Sequence, residues 1–276
     1  MIQEFLVASN ISDALSLRRN TPKSRWFAGG TEINRLNSGL DAKAVVSLSK
    51  LGLDTIIDEG PTIRIGAMVS LQQLIDSPLI PAWLKQAAAY CGSYTRRHMA
   101  TIGGNLALMS DHSYLAPALL ASRCTLKTAN LTEGGAYSED EIPVREYHAY
   151  IKEHANTLIL SIALPKDKRY VGSRRFALSV QNRSAVNVAF GAMMGEGLVI
   201  SHVRLFAAVH GSGLQRLNDV ENAIEAGELS TREDVQLAVS QALEATDDFI
   251  GSAQYKRYIA AEGIGQLFSE FLKGGV

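Results

Sequence analysis

The sequence predicts an α+β chain, and three observations carry that reading. Short buried strand-like runs recur along the chain, glycine-marked turns separate them, and the stretch beyond Arg216 is patterned as helix throughout. With 276 residues, 46% hydrophobic and 20% charged, the chain has the composition of an ordinary globular protein of about two domains. A disordered tail, a collagen and a coiled coil are excluded.

The elements follow in order. Phe5–Val7 reads as a strand, and Asn10 offers a helix cap ahead of Ala14, Leu15 and Leu17 at helical spacing. Arg25–Ala28 and Ala44–Leu48 read as buried strands of a small α/β unit. The turn Asp58–Pro61 marks a first boundary. Thr62–Ile65 alternates like a strand, Leu71–Ile75 opens a helix, and Pro81–Tyr90 is a helix with proline in its first turn. Leu115–Ala121 is a short apolar helix, Cys124–Thr128 a strand, and Thr157–Leu164 a long buried strand. The polar break Pro165–Arg169 is the second boundary. Arg174–Val180, Val186–Met194 and Val203–Val209 then read as three strands. Asn218–Ala226, Thr231–Ala245 and Ser252–Leu272 read as helices, the last with Tyr255, Tyr258 and Ile259 facing inward.

Charge and cysteine content narrow the function. Twenty-seven basic against 28 acidic residues give a net charge of −1, which provides no field for steering nucleic acid. No apolar run approaches the length of a membrane span, and no export signal is expected at the N-terminus. Two cysteines, Cys91 and Cys124, are too few for a disulfide framework or a cluster site, so a cytoplasmic setting is expected.

Two motifs could carry chemistry. Phe27-Ala28-Gly29-Gly30-Thr31-Glu32-Ile33-Asn34 follows a strand, and its consecutive backbone N–H groups could cradle an anion such as a pyrophosphate. A simple strand-ending turn accounts for the same residues. Ala100-Thr101-Ile102-Gly103-Gly104-Asn105-Leu106 repeats the pattern of hydroxyl, glycine pair and amide. Together the two loops could grip one diphosphate from both sides. Arg96, Arg97 and His98, just upstream, could neutralise phosphate or face an acidic partner, or form a solvated turn. His112 beside Asp111 resembles a base with its orienting carboxylate. The six histidines show no metal-binding spacing, and no nucleophile elbow occurs, so neither a metal site nor a catalytic acid or base is expected.

In this order, these segments resemble the FAD-binding medium subunit of the molybdenum hydroxylases, the family of xanthine dehydrogenase and carbon monoxide dehydrogenase flavoprotein subunits. The resemblance runs nearly end to end. It rests on Ser12–Leu15, the loop Ala28–Ile33, Ile65–Ala67, the loop Thr101–Asn105, Leu115–Leu120, Ile159–Pro165, Arg216 with Glu221, and Ser252–Arg257. It is nearest to short enterobacterial purine-hydroxylase-like accessory flavin subunits.

The resemblance implies two α/β FAD-binding subdomains of the vanillyl-alcohol-oxidase-like type, residues 1–57 and 58–168. Residues 169–276 would form a C-terminal domain of a three-stranded antiparallel sheet with a helical bundle. FAD would lie with its pyrophosphate on Phe27–Asn34, met by Ala100, Thr101, Ile102, Gly103, Gly104 and Asn105, with Ile159 near the ring. The implied role is electron transfer. Electrons would come from a [2Fe–2S] small subunit, with substrate oxidised on a molybdopterin-binding large subunit, and would leave to NAD or another outer acceptor.

Three positions depart from the family pattern. Tyr114 stands where a ribityl-binding aspartate is usual, Ala177 where a lysine is usual, and Gln181 where an arginine is usual. They motivate an alternative, a degenerate scaffold subunit of the same complex with weak or no FAD. A stand-alone flavin oxidase or reductase is a further rival, which the lack of a substrate-site constellation disfavours.

Overall fold

The structure, a computed structural model, describes residues 2–35, 42–111, 113–132 and 134–274. In chain order the strands and helices are β1 (Glu4–Val7), α1 (Ile11–Asn20), β2 (Ser24–Phe27), β3 (Ala44–Ser47), β4 (Ile56–Asp58), β5 (Thr62–Gly66), α2 (Leu71–Asp76), α3 (Ala82–Ala89), α4 (Tyr94–Met99), α5 (Ile102–Leu108) and α6 (Leu115–Ala121). There follow β6 (Thr125–Leu131), β7 (Tyr137–Pro143), α7 (Tyr147–Glu153), β8 (Leu158–Pro165), β9 (Tyr170–Phe176), β10 (Val186–Met194), β11 (Ile200–Val209), β12 (Gly213–Arg216), α8 (Asn218–Glu225), α9 (Arg232–Ala242) and α10 (Ala253–Leu272). They build two compact units. The first gathers Met1–Leu79, Tyr94–Ala107 and Arg123–Pro165; the second gathers Ile80–Ser93, Leu108–Ser122 and Lys166–Val276.

The first unit holds two sheets. One is parallel, in the order β1-β3-β2, with Phe5 opposite Val45 and Phe27 opposite Ser47. The other is antiparallel, in the order β4-β5-β8-β6-β7. Helix α1 starts where Asn10 Oδ1 accepts the Asp13 N–H at 2.9 Å, which satisfies one of the donors left open at a helix start. Its Ala14 and Leu15 are buried with Val46, Ala129, Leu158 and Leu160, so one apolar cluster joins residues of both sheets. Full burial of a leucine such as Leu15 contributes about 1.5–3 kcal/mol.

The second unit is built on an antiparallel sheet in the order β12-β11-β10-β9. Val186, Val188, Phe190 and Ala192, on one face of β10, pack with residues of α8, α9 and α10. From the other face Asn187 Nδ2 donates to the carbonyl of Ser113, just ahead of α6.

Several expectations shift. The sheet has four strands rather than three, because Gly213–Arg216 extends the ladder along the end of β11. Gln215 fastens that edge through its amide, exchanging hydrogen bonds with the backbone of Glu244. Strand β9 ends at Phe176 instead of continuing to Val180. Beyond it the Arg175 guanidinium donates to the carbonyls of Ser179 and Asn182 and draws the chain into a turn. The turn Asp58–Pro61 joins two paired strands, so a boundary at 57/58 passes inside β4. Strand β7 and helix α7 escaped the pattern, since β7 is a polar edge strand (YSEDEIP) with little alternation.

The most informative correction lies in α10. Tyr255 and Tyr258 face solvent, 45% and 65% exposed, and the fully buried side chain beside them is Lys256. Its ammonium needs three acceptors to be tolerated there. It finds them in the carbonyls of His210 and Thr246, both at 2.9 Å, and in Asp248 Oδ2.

Candidate functional site

The first Gly-Gly loop leaves the carboxyl end of β2 in the parallel sheet, where open α/β sheets commonly bind ligands. Phe27 closes the strand and stands edge-on to Phe5, with ring centroids 5.2 Å apart. Its ring lies under Gly30, whose φ of +67° favours glycine. A Cβ at Gly30 would lie 2.6 Å from the Phe27 ring and 2.9 Å from the Asn34 amide. At Gly29 the backbone of the second motif's approach comes so close that a Cβ would sit 1.6 Å from the Met99 carbonyl oxygen. The two motifs, distant in sequence, therefore lie side by side in the first unit. Ala28 and Gly104 are also neighbours.

The two loops differ in what they offer. After Asn34 and Arg35 have closed the turn onto Gly30 and Glu32, the backbone N–H groups of Gly29, Gly30 and Thr31 have no acceptor among the described residues. The second motif, by contrast, is the first turn of α5, and its donors from Ile102 to Asn105 are spent. Ile102 donates to Val69, Gly103 to Ala67, Gly104 to the Thr101 hydroxyl at 3.1 Å, and Asn105 to the Thr101 carbonyl. The expectation that it repeats the chemistry of the first loop is corrected accordingly. It is welded to the turn between β5 and α2, and of its backbone donors only the N–H of buried Thr101 has no acceptor among the described residues. Ala100, Thr101, Ile102 and Gly103 are buried, while Gly104 and Asn105 are half-buried.

Glu32 carries the charge at this site. Its carboxylate, 18% exposed, accepts from Arg35 Nη1 at 3.3 Å and from Arg96 of α4. Arg97 Nε donates to Gln72 Oε1 at 2.9 Å and lies over the Tyr94 ring, against which His98 also packs. The segment read as a candidate solvated turn is thus a helix whose arginines are engaged.

The remaining candidate residues belong to other elements. Ile159 belongs to β8 and is 5% exposed, on the face opposite Leu158 and Leu160. Tyr114 and Ala177 belong to the second unit. Tyr114 is the N-cap of α6 and makes no side-chain capping bond; the hydroxyl of Ser113 before it accepts the Ala116 N–H at 3.1 Å. Arg175 interacts electrostatically with Tyr114, and burial lowers the pKa of its guanidinium. Ala177 is half-buried just past β9. His112 lies outside the described residues. Asp111 is engaged by the Gly211 N–H at 2.9 Å. Among the described residues no group of His, Cys, Asp and Glu is arranged to hold a metal ion, and Cys91 and Cys124 are buried thiols.

A series of unpaired N–H donors, on a loop whose glycines no other residue can replace without a clash, fits the diphosphate of a dinucleotide. Comparison with known proteins agrees with that chemistry. Residues 1–167 match the family described as the FAD-binding domain in molybdopterin dehydrogenase. The chain is 30% identical to an uncharacterized Escherichia coli K12 protein, YgfM, over all of this chain and 98% of that one. It is 24% identical to the nicotine 6-hydroxylase medium subunit of Paenarthrobacter nicotinovorans, with 92% of each covered. Among solved structures it resembles a chain of the carbon monoxide dehydrogenase from Hydrogenophaga pseudoflava that lacks the Mo-pyranopterin moiety of its cofactor. That match has a TM-score of 0.83 at 21% identity and covers 96% of both chains. A chain of quinoline 2-oxidoreductase from Pseudomonas putida 86 matches with a TM-score of 0.81 at 16% identity, covering all of this chain and 98% of that one.

Proposed function

The chain belongs to the family of FAD-binding domains of molybdopterin dehydrogenases, and on that premise we propose that it is the electron-transfer flavoprotein subunit of a molybdenum-dependent hydroxylase. The single observation that carries the site is the row of open N–H groups at Gly29, Gly30 and Thr31, placed at the carboxyl end of a parallel sheet. Phe27–Asn34 receives the pyrophosphate, and Thr101, Gly104 and Asn105 bound it from the neighbouring motif. The parallel sheet and the five-stranded sheet, the latter beginning at β4, are the two flavin-binding subdomains, followed by the C-terminal domain 169–276. FAD supplies the redox chemistry when bound; the chain's own residues bind and orient it and keep it from water. Electrons arrive from a [2Fe–2S] subunit, substrate is oxidised on a molybdopterin subunit of the xanthine dehydrogenase kind, and the outer acceptor is NAD or a comparable oxidant.

The purified chain tests this directly. A yellow protein that releases FAD rather than FMN on heating supports the flavin reading, because only FAD brings the diphosphate that the loop is built for. Recovery of the chain from its source with molybdopterin and iron–sulfur subunits supports its place in the complex. A colourless chain that still copurifies with them favours the scaffold alternative, to which Tyr114, Ala177 and Gln181 point. A colourless chain without such partners overturns both.

A further inference from the structure

Resting on the flavin reading, we propose that Arg96, outside both Gly-Gly motifs, is a positioning residue of the diphosphate site and acts through Glu32. Glu32 follows Thr31 directly, so a carboxylate adjoins the row of open N–H groups at Gly29, Gly30 and Thr31. An anion bound to those donors meets a like charge at close range, which opposes binding. Arg96 reaches Glu32 from α4, a helix that sequence separation places 64 residues away, and Arg35 reaches it from the loop itself. Two guanidinium groups therefore stand against one carboxylate beside the cradle.

The same helix also meets the loop through its backbone. The carbonyl of Met99, at the end of α4, lies against Gly29, and Arg96 is one turn earlier on that helix. That backbone contact holds the loop whether or not the ion pair forms, so the pair acts on the site through charge. Glu32 and Arg96 are 18% and 35% exposed, so the pair is partly shielded from solvent, and its effect is moderate and salt-sensitive.

The test is titration of the full-length apoprotein with FAD, read by flavin fluorescence, in wild type, Arg96→Gln, Glu32→Gln and the double variant. Arg96→Gln is expected to weaken binding about tenfold, which is about 1.4 kcal/mol. That loss should shrink as salt rises from about 20 mM to about 500 mM, where the Debye length falls to a few ångströms. Glu32→Gln is expected to bind more tightly than wild type, because it removes the like charge and leaves Arg35 and Arg96 beside the anion. The double variant is expected within about threefold of wild type, because the charge that Arg96 cancels has gone. A purely structural strut would instead leave the double variant as weak as Arg96→Gln, with no salt dependence, and that result overturns the proposal. Equal binding by wild type and Arg96→Gln also overturns it. If Arg96→Gln fails to fold, Glu32→Gln and Arg96→Lys decide: weakened binding in Glu32→Gln, or a tenfold loss in Arg96→Lys, counts against it. A folded wild-type chain that takes up no FAD at all overturns the flavin reading itself, an outcome distinct from these.

Discussion

Lys256 Nζ lies 2.5 Å from Asp248 Oδ2, and the lysine side chain is wholly enclosed. His210 Nδ1 meets the same carboxylate oxygen at 2.7 Å, with the exposed Phe249 ring edge-on to the imidazole. This cluster joins the end of β11, the segment before α10 and α10 itself. Removing one partner of a buried pair strands the other. Lys256→Met is therefore expected to destabilise the second unit by about 3–5 kcal/mol. Urea unfolding followed by tryptic cleavage within 166–276 measures it; a loss below about 1 kcal/mol would show that the cluster contributes little.

The same carboxyl group makes a prediction about pH. Partial burial raises the Asp248 pKa, but hydrogen bonds from Lys256, His210 and the backbone of Ile250 and Gly251 outweigh it and hold it well below the usual carboxylate range. A depressed folded-state value contributes stability at pH above the unfolded-state pKa of about 3.9, lost as pH falls through and below that value. The unfolding midpoint is expected to drop between about pH 5 and pH 3, and Asp248→Asn should flatten that part of the profile. An unchanged slope in Asp248→Asn would assign the acid sensitivity to other groups.

Gly30→Val should abolish flavin retention while the second unit stays folded. The left-handed backbone at Gly30 costs a branched residue roughly 1–2 kcal/mol, and its side chain would strike the Phe27 ring and the Asn34 amide. Flavin content and circular dichroism are read on the same sample. Normal flavin in a folded Gly30→Val chain would remove this loop from the site.

Tyr114→Asp is expected to tighten FAD binding. On the resemblance, which puts a ribityl-binding aspartate at this position, the substitution supplies a charged acceptor of about 1.5–3 kcal/mol, or roughly tenfold or more in affinity. The Tyr114 side chain makes no capping bond at α6, where the Ser113 hydroxyl accepts the Ala116 N–H, so the helix start does not depend on the phenol. Apoprotein titration checks it, and weaker binding with the fold intact would mean that the pocket has been rebuilt around the ring.

Much of the fold was legible because it is local. Val186–Met194 and Leu115–Ala121 appear where continuous apolar runs place them, and Asn10 accepts the N–H it was suited to accept. Strand β12 was not legible, since four residues ending in Gln-Arg carry no alternation and owe their pairing to β11 and Glu244.

By itself the sequence determined where most strands and helices and the two Gly-Gly motifs lie, and the order of motifs that marks the flavoprotein family. Short-range geometry suffices for these: side-chain period, cap chemistry and glycine at a turn. Only the tertiary structure decided which motif keeps its donors. Ala67 and Val69, more than thirty residues upstream, supply the carbonyls that spend those of the second. It also decided that Lys256 rather than Tyr255 or Tyr258 turns inward, because three acceptors from His210, Thr246 and Asp248 converge on that one position. A buried polar group is satisfied by partners from elsewhere in the chain, and no local pattern encodes where those partners will be.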